Sequence, residues 1–158
     1  MTKDDFAQRL ALLPEGMAES NLESWKKQVQ FFRSFADNSL VEILPESSIG
    51  IALIKISELV KELSMNEQAN LFRAGQSVYD LMISTADRHG LRAGEHFVRV
   101  SFERGSIVIQ YEIAGPLTDG VNLNISERAL CSVEDNLMLK LQPFLDRLWN
   151  ETREKKNT

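Results

Sequence analysis

Residues 97 to 112 read FVRVSFERGSIVIQYE and predict a β-hairpin. A two-residue turn at Arg104 and Gly105, with the glycine at positive φ, pairs the flanking strands in one register. All six large apolar residues then share one face as cross-strand pairs: Phe102 with Ile107, Val100 with Ile109, and Val98 with Tyr111. A slip of one residue would move each strand's apolar set to the other face, so this register is strongly specified.

The opposite face of the hairpin is mainly polar. Apart from Phe97 and Val108, it carries Arg99, Ser101, Glu103, Gln110 and Glu112. One face against a core and one face in water are typical of an antiparallel sheet that is covered on one side. We therefore interpret Arg99 as a solvated residue. The stretch from Val121 to Ile125 alternates in the same way and predicts a third strand.

Helices are predicted before the hairpin. A first helix should run from Lys3 to Leu13, with Thr2 as its N-cap. A second should begin at Ser20, because Ser20 and Glu23 match a capping box. The segment from Ile49 to Leu63 fits both a strand and a helical period, and its length favours a helix.

A fourth helix is predicted between these segments and the hairpin. Ser64 and Glu67 form another capping-box pattern, and His89-Gly90 places a glycine where helices commonly end. The apolar stripe of this helix would be Met65, Ala69, Phe72, Tyr79, Met82 and Ala86. The segment is therefore interpreted as one continuous amphipathic helix.

The last predicted element is a long helix from Glu127 to beyond Trp149, with Ser126 as its N-cap. Pro143 removes one backbone hydrogen bond, so we expect a kink or break near Lys140. The apolar face of the hairpin needs a cover, and this helix is the expected one.

Together these elements predict an α+β fold with amino-terminal helices, a small antiparallel sheet built on a β-hairpin, and a long carboxy-terminal helix packed on the sheet. The chain has no repeat and no linker of biased composition. Residues 1–150 are predicted to form a single α+β domain, and residues 151–158 a polar tail that frays.

The composition narrows the possible partners. The chain of 158 residues has a formal net charge of −5, and residues 1–70 hold eleven acidic against seven basic side chains. An acidic chain is unsuited to nucleic acid and to anionic membranes, and a basic partner would prefer the amino-terminal half. The single cysteine, Cys131, allows no intramolecular disulfide, and the first residues lack the pattern of a secretory signal. We predict a cytoplasmic protein.

Motifs for catalysis are missing. The sequence has no Gly-x-Gly-x-x-Gly pattern, no Walker loop and no Gly-x-Ser-x-Gly elbow. Ser24 and Lys27 match a Ser-x-x-Lys pattern, but its companion Lys-Thr-Gly is absent, so Ser24 is interpreted as a solvated helix residue. We expect no catalytic residue, no cofactor and no metal ligand, and we interpret Cys131 as a buried, inert thiol.

The densest group of possible ligands is Asp87, His89, Glu95 and His96. Imidazole and carboxylate side chains bind zinc or harder metals when a fold brings them together. No spacing such as His-Glu-x-x-His supports a metal, and each residue has an ordinary structural interpretation. A small hydrolase or metal-dependent enzyme that uses these four residues is therefore the alternative function.

The second helix carries more aromatic residues than one core stripe needs. Trp25 and Phe32 fit the stripe, whereas Phe31 and Phe35 lie beside it. Aromatic side chains in excess of the core are typical of interaction surfaces, so Trp25, Phe31 and Phe35 are the candidate partner-binding residues. The favoured function is a non-enzymatic protein-binding module: an adaptor, a chaperone, or an inhibitor that neutralises a basic partner. Its partner would be another protein or a second copy of the chain.

Overall fold

The computed structural model of this chain describes residues 2–36, 48–88, 90–115 and 123–154. The helices are α1 (Lys3–Ala11), α2 (Met17–Ala36), α3 (Ser48–Ser64) and α4 (Leu137–Trp149). The strands are β1 (Arg73–Ser77), β2 (Asp80–Ser84), β3 (His96–Glu103), β4 (Ser106–Ala114) and β5 (Leu123–Cys131). A 3-10 turn, Glu67–Asn70, precedes β1, and a π-helical turn, Asn150–Glu154, follows α4. The predicted α+β class is confirmed.

The five strands form one antiparallel meander in the order β1-β2-β3-β4-β5. The hairpin register is as predicted: Val98 pairs with Tyr111, Val100 with Ile109, and Phe102 with Ile107. Its turn has Arg104 at φ 49° and Gly105 at φ 85°. Glycine adopts such angles without steric cost, which explains why the turn forms at this dipeptide.

Helices α3 and α4 cover the apolar face of the sheet. Val98, Val100, Ile107, Ile109 and Tyr111 are fully buried, and Phe102 is half-buried. They share one core cluster with residues of both helices, such as Ile56 of α3 and Leu141 of α4. The predicted packing of the carboxy-terminal helix on the sheet is confirmed, and α3 shares this role.

The predicted amino-terminal helices are confirmed, with one changed start. Thr2 caps α1 in a full capping box with Asp5, and the ambiguous third segment is the helix α3. The predicted start at Ser20 is wrong, because α2 already begins at Met17 and the Ser20 N–H bonds to the Gly16 carbonyl within the helix. None of the helices in the described ranges combines the length and apolar character that a bilayer crossing requires.

The prediction of a fourth helix from Ser64 to Gly90 is wrong. The 3-10 turn and the β1–β2 hairpin occupy these residues; His89 itself lies outside the described residues. Leu81 and Ile83 alternate inward and pair with Val100 and Val98 of β3. Strands of five residues are too short to show their period clearly, and pairing with β3 outweighs the local helical pattern.

The predicted start of the last helix, Glu127, is also wrong. The predicted third strand, residues 121–125, is β5, which extends from Leu123 to Cys131, where the prediction expected helix from Glu127; residues 121 and 122 lie outside the described residues. Leu130 is 66% exposed and pairs with Val108 of β4, so it is no part of a helical stripe. Helix α4 begins after Asn136, whose side chain accepts the Leu139 N–H. It continues through Pro143 without a break.

This correction gives a direct test. Asn136→Ala is expected to reduce the free energy of unfolding by about 1 kcal/mol, because it removes the N-cap of α4. Ser126→Ala, at the position that the sequence pattern suggested, should change it by less than about 0.5 kcal/mol. Urea unfolding of both variants measures the difference, and an equal loss would contradict the observed helix start.

The last described residues pack against the rest of the fold. Thr152 is buried and its hydroxyl donates to the Leu148 carbonyl at 2.6 Å. Its oxygen lies 2.8 Å from the Thr85 hydroxyl. Of the predicted polar tail, residues 151–154 therefore follow α4 as a packed turn, and residues 155–158 lie outside the described residues.

Candidate functional site

The three candidate partner-binding residues lie in different environments. Trp25 is buried in the core, where its indole Nε1 donates to the Phe72 carbonyl at 2.9 Å. Phe31 is half-buried and meets Phe32 edge to face, with ring centroids 5.2 Å apart. The side chain of Phe35 lies outside the described residues. Of the two described side chains, Phe31 is thus the one that reaches the surface.

Helix α2 has a second role, which the sequence did not suggest: it bonds to the backbone at the start of the β1 edge and just before it. Three consecutive contacts reach the backbone of residues 70, 72 and 74. Asn21 Nδ2 donates to the Asn70 carbonyl at 2.8 Å, Trp25 Nε1 to the Phe72 carbonyl at 2.9 Å, and the Ala74 N–H to Ser24 Oγ at 2.9 Å. The solvated interpretation of Ser24 is wrong, because Ser24 is buried against this edge. At Ala74 a side chain of α2 thus takes the place of a neighbouring strand, whereas Gln76 and Ser77, at the other end of β1, are exposed.

The β5 edge is different. Within the described ranges no strand pairs with its outer side. Its exposed residues are Ile125, Ser126, Glu127, Arg128 and Leu130. Ile125 and Leu130 are 52% and 66% exposed, which is unusual for large apolar side chains of a strand. A long edge strand with unpaired backbone groups is a template for pairing with another chain, and most proteins blunt such edges.

A bulge brings the two exposed apolar residues of β5 to one face. Tyr111 pairs with Glu127 but Glu112 pairs with Ile125, so Ser126 is the extra residue of β5. Residues five positions apart lie on opposite faces of a regular strand. Because of the extra residue, Ile125 and Leu130 both lie on the sheet face opposite α3 and α4. The two side chains are thus exposed apolar groups on the same face of the β5 edge.

The predicted group of possible metal ligands is divided between two sets of ion pairs. Arg88 pairs with Asp87 at 3.0 Å and also with Glu95. His96 turns instead toward Tyr111 and Glu151. Among the described side chains, no cluster of three or more histidine, cysteine or acidic residues is arranged to hold a metal ion. His89 lies outside these residues.

His96 belongs to a half-buried polar cluster at the carboxy-terminal end of α4, in which Tyr111 is fully buried. Its Nδ1 lies 2.9 Å from the Tyr111 hydroxyl and 3.3 Å from Glu151 Oε2. Arg147 donates to Glu151 at 3.2 Å and to Glu127 at 3.0 Å, and its guanidinium lies 3.9 Å from the centre of the Tyr111 ring. These contacts orient the imidazole of His96 through Nδ1 and hold the carboxylate of Glu151 in place.

The environment of this cluster shifts the pKa values of Tyr111 and Glu151. Burial and the hydrogen bond to Glu151 raise the pKa of the Tyr111 hydroxyl, while Arg147 opposes the shift. Burial alone would raise the pKa of Glu151, but hydrogen bonds from Arg147 and Tyr111 outweigh it and hold that pKa below its usual range. The stable state therefore has an ionised Glu151 and a protonated Tyr111 at neutral pH.

A concavity of about 370 Å³ adjoins the cluster. Its wall consists of Pro14 and Met17, of residues 85–88 and 94–96, and of the turn at residues 151–153. His96, Glu151 and Arg153 are among the residues of this wall. Four separate segments of the chain thus meet at this concavity. Three of the four possible ligands that the sequence analysis named, Asp87, Glu95 and His96, lie in its wall, whereas no sequence pattern indicated Arg153.

The outer face of the sheet holds a buried ion pair. Arg99 donates from Nε to Glu112 Oε2 at 2.7 Å and from Nη1 to Asp80 Oδ2 at 2.8 Å. Glu112 is 1% exposed, and its other carboxylate oxygen, Oε1, has no partner among the described residues. Burial would lower the pKa of Arg99, but the two carboxylates raise it above its usual value. The interpretation of Arg99 as solvated is wrong.

Cys131 is buried at the end of β5, as expected. Burial and the charge of Asp135 raise the pKa of its thiol, while Lys140 opposes the shift. A raised pKa reduces the thiolate fraction at neutral pH, and the thiolate is the reactive form.

Comparison of the chain with models of protein families, with curated proteins and with solved structures finds no significant match. The functional inference therefore rests on geometry. The sequence indicated neither the open β5 edge nor the role of Arg153 in the concavity. Alternation in residues 121–125 did signal the strand that the structure shows from Leu123, but nothing in the sequence showed which strands would be edges.

Proposed function

We propose that this chain is a non-enzymatic protein-binding module that receives an extended segment of a partner protein along β5. The single observation that supports this is the contrast between the two sheet edges. A side chain of α2 bonds to Ala74 at the start of the β1 edge, whereas the side chains of β5 from Ile125 to Arg128 and at Leu130 are exposed, and no strand pairs with its outer side in the described ranges. Proteins that bind peptides by strand addition present such an edge.

The chemistry of β5 describes the segment that fits. Backbone hydrogen bonds along the edge would supply affinity without regard to sequence, and alternate side chains would supply specificity. Ile125 and Leu130 offer two apolar contacts on one face, while Glu127 and Arg128 are already paired with Arg147 and Glu103. The proposed occupant is therefore an extended segment with apolar side chains on one face and little charge of either sign.

A second copy of the chain fits this edge less well. Two identical strands that pair about a two-fold axis place one residue opposite its own copy. The centre of the exposed stretch is Glu127 and Arg128, so a symmetric pair centred there opposes like charges, which destabilises an antiparallel pair. A different protein is the preferred partner, and self-association is an outcome that the experiment below detects.

Other features agree with an intracellular binding protein. The single buried Cys131 suits a reducing compartment, and we propose the cytoplasm as the location. The net charge of −5 disfavours nucleic acid as a partner. The aromatic residues of α2 remain a second candidate surface for the same function, with Phe31 as its described surface member.

The β5 edge can be tested with two lysines. Ile125→Lys combined with Leu130→Lys is expected to abolish partner capture, because edge lysines oppose strand addition. The domain should stay folded, since both side chains are exposed. Tagged chain serves as bait in an extract of the native cell, bound proteins are quantified by mass spectrometry, and circular dichroism melts report folding.

The matched control is Met65→Lys combined with Leu139→Lys. These residues are 75% and 71% exposed and lie after α3 and in α4, so the control adds the same charge at other exposed apolar sites. The partner is the protein that wild type and control capture and the β5 variant loses. Capture by all three chains alike would refute the β5 edge as the site.

Two further measurements separate the remaining possibilities. Phe31→Ser combined with Phe35→Ser tests the α2 surface: loss of capture by this folded variant, with capture retained by the β5 variant, would move the interface to α2. Light scattering on the purified wild type detects self-association. With the captured partner added, hydrogen exchange should slow at the backbone amides of residues 123–131.

A further inference from the structure

The concavity beside His96 contains a cation that lacks an anion. Among the described side chains, Arg153 takes part in no ion pair, although Arg88 and Arg147 near it are each paired with two carboxylates. Its Nη2 donates to the Thr85 carbonyl at 2.6 Å and lies 3.1 Å from Met17 Sδ, which fixes the orientation of the guanidinium. Its Nε is buried without a partner.

This environment is costly for a guanidinium. Burial lowers the pKa of Arg153, and the charge of Asp87 only partly offsets the effect. A half-buried cation without a carboxylate is unusual, because arginine in such positions normally forms paired, charge-assisted hydrogen bonds. No hydrogen bond from its Nη1 to another described residue exists, so this donor is free to meet a ligand in the concavity.

We propose that the concavity bounded by Met17, Thr85, His96 and Arg153 is a binding site for a ligand carboxylate that pairs with Arg153. The proposal is independent of the β5 edge. The remaining ring nitrogen of His96, Nε2, has no hydrogen-bond partner among the described residues, because the contacts to Tyr111 and Glu151 use Nδ1. It supplies a second polar contact.

The charges in the wall favour a carboxylate over phosphate. Asp87 and Glu95 are paired with Arg88, and Glu151 is paired with Arg147. Arg153 is then the one basic side chain among these groups without an ion pair. The three acidic and three basic side chains balance in formal charge, so a monoanion adds less negative charge to the site than a dianion does. A phosphate dianion would leave excess negative charge beside three carboxylates, which raises its electrostatic cost. Pro14, Met17 and Ala86 offer apolar contact to a short carbon chain.

The carboxylate could come from a free small acid or from the carboxy terminus of a peptide. Four probes distinguish these sources: sodium propionate, trialanine, trialanine amide and inorganic phosphate. Binding to the uniformly ¹⁵N-labelled chain is followed through the side-chain Nε–H signal of Arg153 and the backbone amides of residues 85–88 and 94–96. The Arg153 signal is assigned by its absence from the spectrum of Arg153→Gln or Arg153→Lys.

We expect propionate or trialanine to shift these signals saturably at millimolar concentration, with phosphate weaker. Arg153→Gln should weaken binding by roughly tenfold to a hundredfold, as expected for a charge-assisted hydrogen bond, and Arg153→Lys by less. Arg92→Gln removes the same charge from an exposed residue outside the concavity and should leave affinity unchanged.

The outcomes are decisive in wild-type protein, whatever the stability of the variants. Saturation by propionate identifies a site for small acids, and saturation by trialanine alone identifies a site for a chain terminus; both support the proposal. The proposal is overturned if no probe shifts the Arg153 signal, if trialanine amide binds as well as trialanine, or if phosphate binds more tightly than either carboxylate.

Discussion

Val100→Asp is expected to lower the free energy of unfolding of the domain by about 3–5 kcal/mol. Val100 is fully buried at the centre of the sheet, between Leu81 of β2 and Ile109 of β4. An aspartate there must either stay ionised without a partner or take up a proton in an apolar site, and both states cost free energy. Urea unfolding followed by circular dichroism measures the loss.

The matched control is Ser101→Asp, one position along β3. Ser101 faces away from the core and is half-exposed, so the new carboxylate stays hydrated. We expect a loss of at most about 1 kcal/mol, from the low strand propensity of aspartate. Equal losses at positions 100 and 101 would mean that the faces of the hairpin are wrongly assigned.

Arg99→Gln is also expected to lower the free energy of unfolding by about 3–5 kcal/mol, for a different reason. The substitution leaves Glu112 as a buried carboxylate without its cation, since Arg99 Nε is the charged donor at 2.7 Å. Gln110 contributes only a longer contact of 3.3 Å. Breaking one side of a buried pair is more harmful than removing the pair, because the remaining charge keeps its desolvation cost.

A double-mutant cycle separates these contributions. Arg99→Gln in the Glu112→Gln background should cost about 2 kcal/mol less than in wild type, because no carboxylate is left unpaired. Arg104→Gln, in the exposed turn of the same hairpin, removes the same charge and should change stability by less than about 0.5 kcal/mol. Additive losses at 99 and 112 would show that the ion pair contributes nothing beyond its separate side chains.

The substitutions at Val100 and Arg99 separate what the sequence pattern revealed about the hairpin from what it did not. Alternation placed Val100 and Arg99 on opposite faces, and that is confirmed. The same pattern was taken to mean that Arg99 is solvated, which is wrong. Alternation assigns a face but not what covers that face, and residues such as Glu112 and Asp80 are neighbours of Arg99 only through strand pairing.

The errors on either side of the hairpin have a common physical cause. In residues 64–90 and 126–131, strands carry residues that also suit a helix, and local signals such as the capping-box pair Ser64 and Glu67 favoured helix. The β2 strand forms because Leu81 and Ile83 pair with β3, and β5 forms because it pairs with β4. The free energy of those pairings comes from residues distant in sequence, which no local window contains.

The candidate sites depend on tertiary contacts even more strongly. The aromatic surplus of α2 was visible in the sequence, but the burial of Trp25 results from its hydrogen bond to the Phe72 backbone and from packing against the sheet. The open edge at β5 exists because β5 is last in the meander, while α2 bonds to the other edge strand at Ala74. Neither fact follows from the residues of one element.

Local chemistry was sufficient where the determining interactions lie within a few residues. The turn at Arg104 and Gly105, the cap at Thr2, and the division of the hairpin into two faces all follow from backbone sterics, short-range hydrogen bonds and a period of two. The concavity around Arg153 required the folded chain, because its wall joins residues 14, 85, 96 and 153. Burial and the charge balance of a site are sums over such distant neighbours, so only the assembled fold defines them.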